Sequence, residues 1–165
     1  MAYFLIIAVI VVLDQWSKSI VLQVIGIGGE PITVIDRFFY IVCHRNSGAA
    51  WGILENGRIF FIVSTVVVLV FAGFYMWRIK NTGFRILLSL FLGGAIGNFL
   101  DRLLIGSVVD FLNFYIFGYN FPTFNVADSF IVIGVISLAV YIMVNKDILA
   151  MLKKPIYRIH ADKDG

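Results

Sequence analysis

The chain has 165 residues, of which 61% are hydrophobic and only 14% charged, whereas a soluble domain averages about a quarter charged. That length suits one domain over residues 1–165, and the apolar residues fall in blocks long enough to cross a bilayer, which excludes an ordinary soluble fold. The net charge of +3 comes from basic residues between and after those blocks, which argues against a nucleic-acid partner, and the single cysteine, Cys43, excludes an internal disulfide and a multi-cysteine metal site.

Residues 3–24 read as a first transmembrane helix. Nothing basic precedes this apolar run, so it lacks the charged lead of a cleaved signal peptide. Asp14 and Lys18 interrupt it four residues apart, on one helix face and about 6 Å apart along the axis. A carboxylate within a membrane with an ammonium one turn away reads as a paired charge facing the protein interior. Two roles for Lys18 stand open: a structural ion pair, or a cation reaching outward to a carbonyl or lipid headgroup.

In the loop over 26–58, turn-forming Gly26, Gly28, Gly29 and Pro31 precede two β-type runs. They predict a small antiparallel sheet outside the bilayer, whose free edge could take an extended peptide. Asn46 and Gly48 predict a tight turn presenting backbone groups and an amide. Cys43 and His44 do not form a thiol dyad, because neighbours on a strand face opposite sides, and Cys43 reads as a buried apolar residue.

Residues 59–77 form a charge-free second span, followed by a basic link carrying Arg78, Lys80 and Arg85 and by a third span over 86–104. Gly93 and Gly97 give the third span a small-xxx-small face that lets another helix approach closely. Asn98 and Arg102 share a helix face with Asp101 beside them, either as a polar cluster ending the helix or as an amide and a guanidinium aimed at a site beyond it. Residues 106–127 hold Asp110 and seven aromatics, read as an interfacial belt. The fourth span, 126–144, carries Asp128 in its first turn, where a plain helix cap is one reading. A polar tail begins at about 146 and carries Lys146, Lys153, Lys154, Arg158 and Lys163.

Four spans put both termini on one side, and the basic link and tail make that side cytoplasmic. The predicted class is therefore a membrane all-α protein of four transmembrane helices, with a small extracytoplasmic antiparallel sheet in the first loop. This topology collects Asn46, Gly48, Asp101, Arg102, Asp110 and Asp128 at the outer face, with Lys18 on the outward half of the first span.

Two carboxyls in one low-dielectric site cannot both ionise easily, so the pair holds a single proton over a wide pH range. The ionised member can act as general base on a water while the protonated member polarises a carbonyl. The chain has no Gly-x-Ser-x-Gly, no His-Glu-x-x-His and no phosphate-binding loop, and neither His44 nor His160 sits in a metal-ligand pattern. An aspartic peptidase and a proton-coupled transporter remain open on these residues alone; a membrane scaffold would not need two aspartates at one interface.

Five blocks together resemble the bacterial lipoprotein signal peptidases (signal peptidase II): Asp14-Gln-Trp-Ser-Lys18, Arg45-Asn46-Ser-Gly48-Ala-Ala-Trp-Gly, Gly93-Gly94-Ala-Ile-Gly-Asn98-Phe-Leu-Asp101-Arg102, Val109-Asp110-Phe111 and Phe124-Asn125-Val-Ala-Asp128. The blocks follow the family's order over nearly the whole chain. The resemblance implies a membrane aspartic endopeptidase of the bacterial cytoplasmic membrane. Its substrate is a prolipoprotein cut just before a cysteine that carries a diacylglyceryl thioether. The resemblance further implies no metal or other cofactor, membrane phospholipid as surroundings, a monomer, and the cyclic peptide globomycin as an inhibitor. The family's catalytic pair falls on Asp110 and Asp128. Asn46, Gly48, Gly94, Asn98, Arg102, Asn125, Asp14 and Lys18 fall on positions that shape the site or support the fold. Trp51 stands where many relatives have Phe, an aromatic exchange of little expected consequence.

Overall fold

The computed structural model describes residues 1–48 and 57–153. Trp51, His160 and the tail cations Lys154, Arg158 and Lys163 lie outside the described residues. The chain runs through α1 (Ala2–Val24), β1 (Ile32–Ile35), β2 (Phe39–Asn46), α2 (Arg58–Arg78), α3 (Thr82–Leu104), β3 (Val108–Ile116), β4 (Tyr119–Asn120), α4 (Val126–Val144) and α5 (Lys146–Lys153). Four of these, α1 to α4, are long and apolar enough to cross a membrane. Their outward surfaces are hydrocarbon: Val66, Val67, Val70 and Phe71 on α2 and Val132, Val135, Ile136 and Val140 on α4 are exposed. A water-soluble bundle would bury such faces.

Helix α3 is the central element, packed against α1, α2 and α4. Glycines make this possible. Gly93 lies against Ile10 of α1, and a Cβ on Gly94 would run into the Ala127 carbonyl at the start of α4. A Cβ on Gly97 would stand 2.6 Å from Asp14 Oδ2. The glycine face therefore serves two neighbours at once, and it admits a buried carboxylate as well as a helix backbone.

The start of α3 lies four residues before the predicted one. Asn81 caps it, its side chain accepting from Phe84 N at 2.9 Å. The charge that suggested a later start, Arg85, is absorbed inside the helix. Its guanidinium donates to the Ile79 carbonyl at 2.8 Å and lies over the Tyr3 ring at 5.6 Å. At its other end α3 stops at Gly106, whose φ of +90° favours glycine. Arg58 Nε and Nη2 cover the carbonyls of Arg102 and Leu103 at 2.9 and 2.8 Å.

The sheet departs from expectation in its composition. It is antiparallel with order β1-β2-β3-β4, so the second loop supplies two of its strands. Strand β3 occupies the region read as an aromatic belt. Of its aromatics, Phe111 is buried, and Phe114 stacks on Phe39 and Phe124 with ring centroids 4.5 and 5.7 Å apart. Phe117 and Tyr119 remain exposed at the hairpin. An extra residue in β2 between Ile41 and His44 bulges the ladder and sets His44 opposite Asp110. Cys43 is buried with Val109, Phe111 and Val21, so the sheet rests on the end of α1, and His44 faces out. Burial raises the Cys43 thiol pKa above its ordinary value.

The other end of the bundle is closed by Ile79, Phe84, Leu88 and Ile148. The region read as a polar tail begins here with a helix. Residues Lys146–Lys153 form the amphipathic helix α5, which buries Ile148 and accepts a bond from Arg78 Nη2 at Met151 O (3.3 Å).

Candidate active site

Three helices meet beneath the sheet: the C-terminal halves of α1 and α3 and the N-terminus of α4. Strand β3 carries Asp110 into this meeting point, 4% exposed. The segment before α4 is tied to β3 by Phe124, whose carbonyl accepts from Phe111 N at 3.0 Å and Leu112 N at 2.8 Å. That pairing delivers Asn125 beside Asp110. Asn125 is fully buried and caps α4, its side chain accepting from Asp128 N at 2.9 Å while its own N–H donates to Asp128 Oδ2 at 3.1 Å. Asp128 is therefore the reciprocal member of a capping box, and its second oxygen is left for the interior.

Asn125 also joins the two carboxylates. Its Nδ2 donates to Asp110 Oδ1 at 2.8 Å, and Asn46 Nδ2 donates to Asp110 Oδ2 at 2.9 Å. Asn98 Nδ2 donates to Asp128 Oδ1 at 2.7 Å. Among the described residues, three asparagine side-chain amides and the Asn125 backbone N–H thus hold the two carboxylates, each oxygen receiving one donor and keeping a lone pair. Burial, reinforced by the charge of Asp128, pushes the Asp110 carboxyl up to about 6. Asn46 also accepts from Gly48 N at 2.9 Å, forming the turn at the end of β2. The Gly48 carbonyl in turn receives Arg102 Nη2 at 3.4 Å. Arg102 lies over the Phe61 ring at 4.7 Å and acts electrostatically on Asp110 and Asp128.

Behind the carboxylates is a buried ionic cluster. Lys18 Nζ lies 2.8 Å from both Asp14 Oδ2 and Asp101 Oδ2 and 3.0 Å from Asn98 Oδ1. It is 2% exposed, so it does not reach outward to a lipid headgroup. Asp14 Oδ1 accepts from Ala127 N at 3.0 Å, which fastens α1 to the first turn of α4. Two residues of this cluster are not among the site residues of the sequence reading, which places Asp101 only in the polar cluster beside Asn98 and Arg102. Asp101 is the second counter-ion of Lys18, and Gln15 Nε2 bridges Asp101 Oδ1 (2.8 Å), Gly97 O (3.2 Å) and Asp14 Oδ2 (3.1 Å). For Gln15 the only signal was its place inside a motif block; for Asp101 it was also its place beside Asn98 and Arg102 at the end of the third span.

Among the described residues, Asp128 borders two cavities. One, of about 280 Å³, lies between α2, α3 and α4 and is lined by Ser64, Phe91, Asn98, Arg102 and Ile131 among others. The other, about 310 Å³, is lined by Phe121, Phe124, Ser129, Val132 and Ile133. A larger hollow of about 790 Å³ on the sheet, around Arg37, Tyr40, His44 and Asn113, touches neither carboxylate. Chemically, the site offers two carboxyls, one holding its proton near pH 6, fixed amide donors and a guanidinium beside apolar space. It is suited to moving protons on and off a water and a carbonyl.

Ionising Asp110 in the fold opposes stability, and the sign is testable. Below pH 4 the carboxyl is protonated in both folded and unfolded chains and contributes nothing. Between pH 4 and about 6 the unfolded chain loses its proton first, so stability falls by about 3 kcal/mol and then stays lower. Asp110→Asn removes this loss. Its melting temperature relative to the unsubstituted protein should therefore rise between pH 4 and pH 8, by about 6–12 °C. An offset that does not change with pH would contradict the buried, proton-holding carboxyl.

The model of the family described as Signal peptidase (SPase) II matches residues 6–144. Two solved structures, each described as a bacterial membrane enzyme, superpose over nearly the full chain. One, determined by the in meso method at 2.3 Å, is 39% identical with a TM-score of 0.79 and covers 94% of each chain. The other, at 1.9 Å, is also 39% identical, with a TM-score of 0.76 and coverage of 93% of this chain and 94% of its own.

Proposed function

Because the chain belongs to the signal peptidase II family of lipoprotein-processing membrane peptidases, we propose that Asp110 and Asp128 hydrolyse the peptide bond before a diacylglyceryl-modified cysteine. The observation that carries this reading is the pair itself. Two carboxyls joined through Asn125 stand at the end of an apolar bundle, and Asp110 keeps a proton up to about pH 6.

In the reaction, ionised Asp128 takes a proton from water, and the water oxygen adds to the scissile carbonyl carbon. Protonated Asp110 gives its proton to the carbonyl oxygen. The tetrahedral species collapses as Asp110 takes a proton back from one of its hydroxyls and the C–N bond breaks, and the cysteine nitrogen takes the proton that Asp128 received, so both carboxyls return to their starting states. The signal peptide leaves with a new carboxylate, and the lipoprotein keeps its lipidated cysteine as a free amine. Arg102 and the Asn46–Gly48 turn flank the site and position the substrate backbone. Neither step calls on a metal or organic cofactor.

The bundle is a single membrane-embedded domain. Arg78 ends α2, Lys80 lies in the α2–α3 link, Arg85 in the first turn of α3, and Lys146 and Lys153 in α5, all at the end away from the sheet, which supports a cytoplasmic placement for that end and both termini. The carboxylates and sheet then lie at the extracytoplasmic face of a bacterial cytoplasmic membrane, where the protein acts as a monomer among phospholipids.

Cleavage in detergent micelles tests the reading. A prolipoprotein carrying the diacylglyceryl group should be cut just before its cysteine, with kcat/KM at least about 100-fold above the unlipidated form, because lipid binding energy is used at the reacting bond. Exhaustive chelation should leave the rate unchanged. Equal cleavage of the two forms, or loss restored by zinc, would contradict it.

A further inference from the structure

We infer that Lys18 is a positioning residue for this cleavage, acting through Asn98: its ammonium holds the Asn98 amide in the one orientation that presents an N–H to Asp128. The inference rests on the reading of Asp110 and Asp128 as the reacting carboxyls.

An ammonium has three hydrogens, and those of Lys18 are directed to Asp14 Oδ2, Asp101 Oδ2 and Asn98 Oδ1. None is directed to Asp110 or Asp128. The Asn98 oxygen receives a second donor, Asn125 Nδ2, at 3.1 Å. Turning the Asn98 amide over would set its NH2 group against two donors and leave Asp128 Oδ1 facing a carbonyl oxygen. Lys18 and Asn125 therefore choose the amide orientation, and the 2.7 Å bond from Asn98 Nδ2 to Asp128 Oδ1 follows from that choice. A lysine serving only as counter-ion to Asp14 and Asp101 would not need this third bond.

The same ion pair also holds the backbone that carries Asp128. Asp14 presents one oxygen to Lys18 and the other to Ala127 N, at 3.0 Å, one residue before Asp128. The ion pair on α1 thus fixes both the donor to Asp128 and the turn from which Asp128 projects. Among the described residues, the charged groups acting on Asp128 are Lys18 and Asp14 from α1, Arg102 from α3 and Asp110 from β3. Removing Lys18 and Asp14 together leaves the net local charge unchanged; Asp101 loses its ammonium and keeps the Gln15 and Val109 donors, and the placement of Asn98 and of the first turn of α4 is lost.

The test is single-turnover cleavage of a diacylglyceryl-modified prolipoprotein in detergent. Lys18→Met alone leaves two carboxylates facing each other, so the variant is Asp14→Asn/Lys18→Met, in which the amide oxygen introduced at position 14 can still accept from Ala127 N. Its kcat should fall about 10- to 100-fold with KM within about twofold. Asp14→Asn/Lys18→Gln, which keeps an N–H directed at Asn98, should recover part of the loss. A folded double variant with an unchanged kcat would overturn the inference.

Asn98→Asp decides the matter even if both double variants fail to fold. It keeps the shape and the Lys18 partner but sets a carboxylate oxygen against Asp128 Oδ1. Its kcat should be lost at pH 8 and return as the pH is lowered toward 5 and a proton enters between the two oxygens. A wild-type rate and pH profile in Asn98→Asp would also overturn the inference. Failure of the unsubstituted protein to cut the lipidated substrate is a different result, and it sinks the peptidase reading itself.

Discussion

Asp110→Asn and Asp128→Asn should each lower the single-turnover rate by about 10³- to 10⁴-fold while the protein still folds. The substitution changes almost no volume, and most of the hydrogen bonding survives. An Asn at 110 still accepts from one of Asn46 and Asn125, and an Asn at 128 still closes the capping box with the Asn125 N–H. One donor at each site loses its acceptor, at about 1–3 kcal/mol. At position 110 this is offset by removing the ionisation penalty. The chemistry has no such offset. An amide can neither take a proton from water nor pass one to a carbonyl oxygen, so either change breaks the cycle.

The second large effect falls on stability. Lys18→Met should cost about 3–5 kcal/mol, because it strands two carboxylates in the bundle interior. Asp14 is 0% and Asp101 3% exposed, and both lie 2.8 Å from the ammonium. Neither has water to turn to, and the helices cannot separate without opening the glycine contacts of α3. The measurable outcome is a sharp loss of folded protein in detergent, or a melting temperature at least about 6 °C lower. Adding Asp14→Asn to Lys18→Met should restore much of it. A Lys18→Met protein that melts like the unsubstituted one would show that the cluster is not what fastens α1 to α3 and α4.

The four long helices were legible because hydrocarbon solvent demands long apolar runs with few charges. The α3 boundary slipped because Arg85 looked like a loop residue; its guanidinium instead finds the Ile79 carbonyl and the Tyr3 ring. Strand β3 was hidden for another reason. Phe, Tyr and Ile suit an interfacial belt and a strand equally well, and the partner that decides between them is β2, more than sixty residues earlier. Helix α5 was masked by its lysines, although Ile148, Leu149 and Leu152 fall at helical spacing.

The site divides in the same way. The Asp14–Lys18 pair was readable as a local i, i+4 contact, and Asp110 and Asp128 as charges at span ends. The sheet-borne Asn46, the two-sided Asn125 and the counter-ion Asp101 depend on partners 64, 15 and 83 residues away, beyond the reach of any local pattern.

The central claim is that Asp110 and Asp128 form one catalytic unit acting on a single water. The double variant Asp110→Asn/Asp128→Asn, measured beside the two single variants on the same lipidated substrate, tests it most directly. Members of one unit are not additive, so all three residual rates should coincide within about threefold. A double variant slowed by the product of the two single effects, or a single variant that cuts at the normal rate, would contradict it.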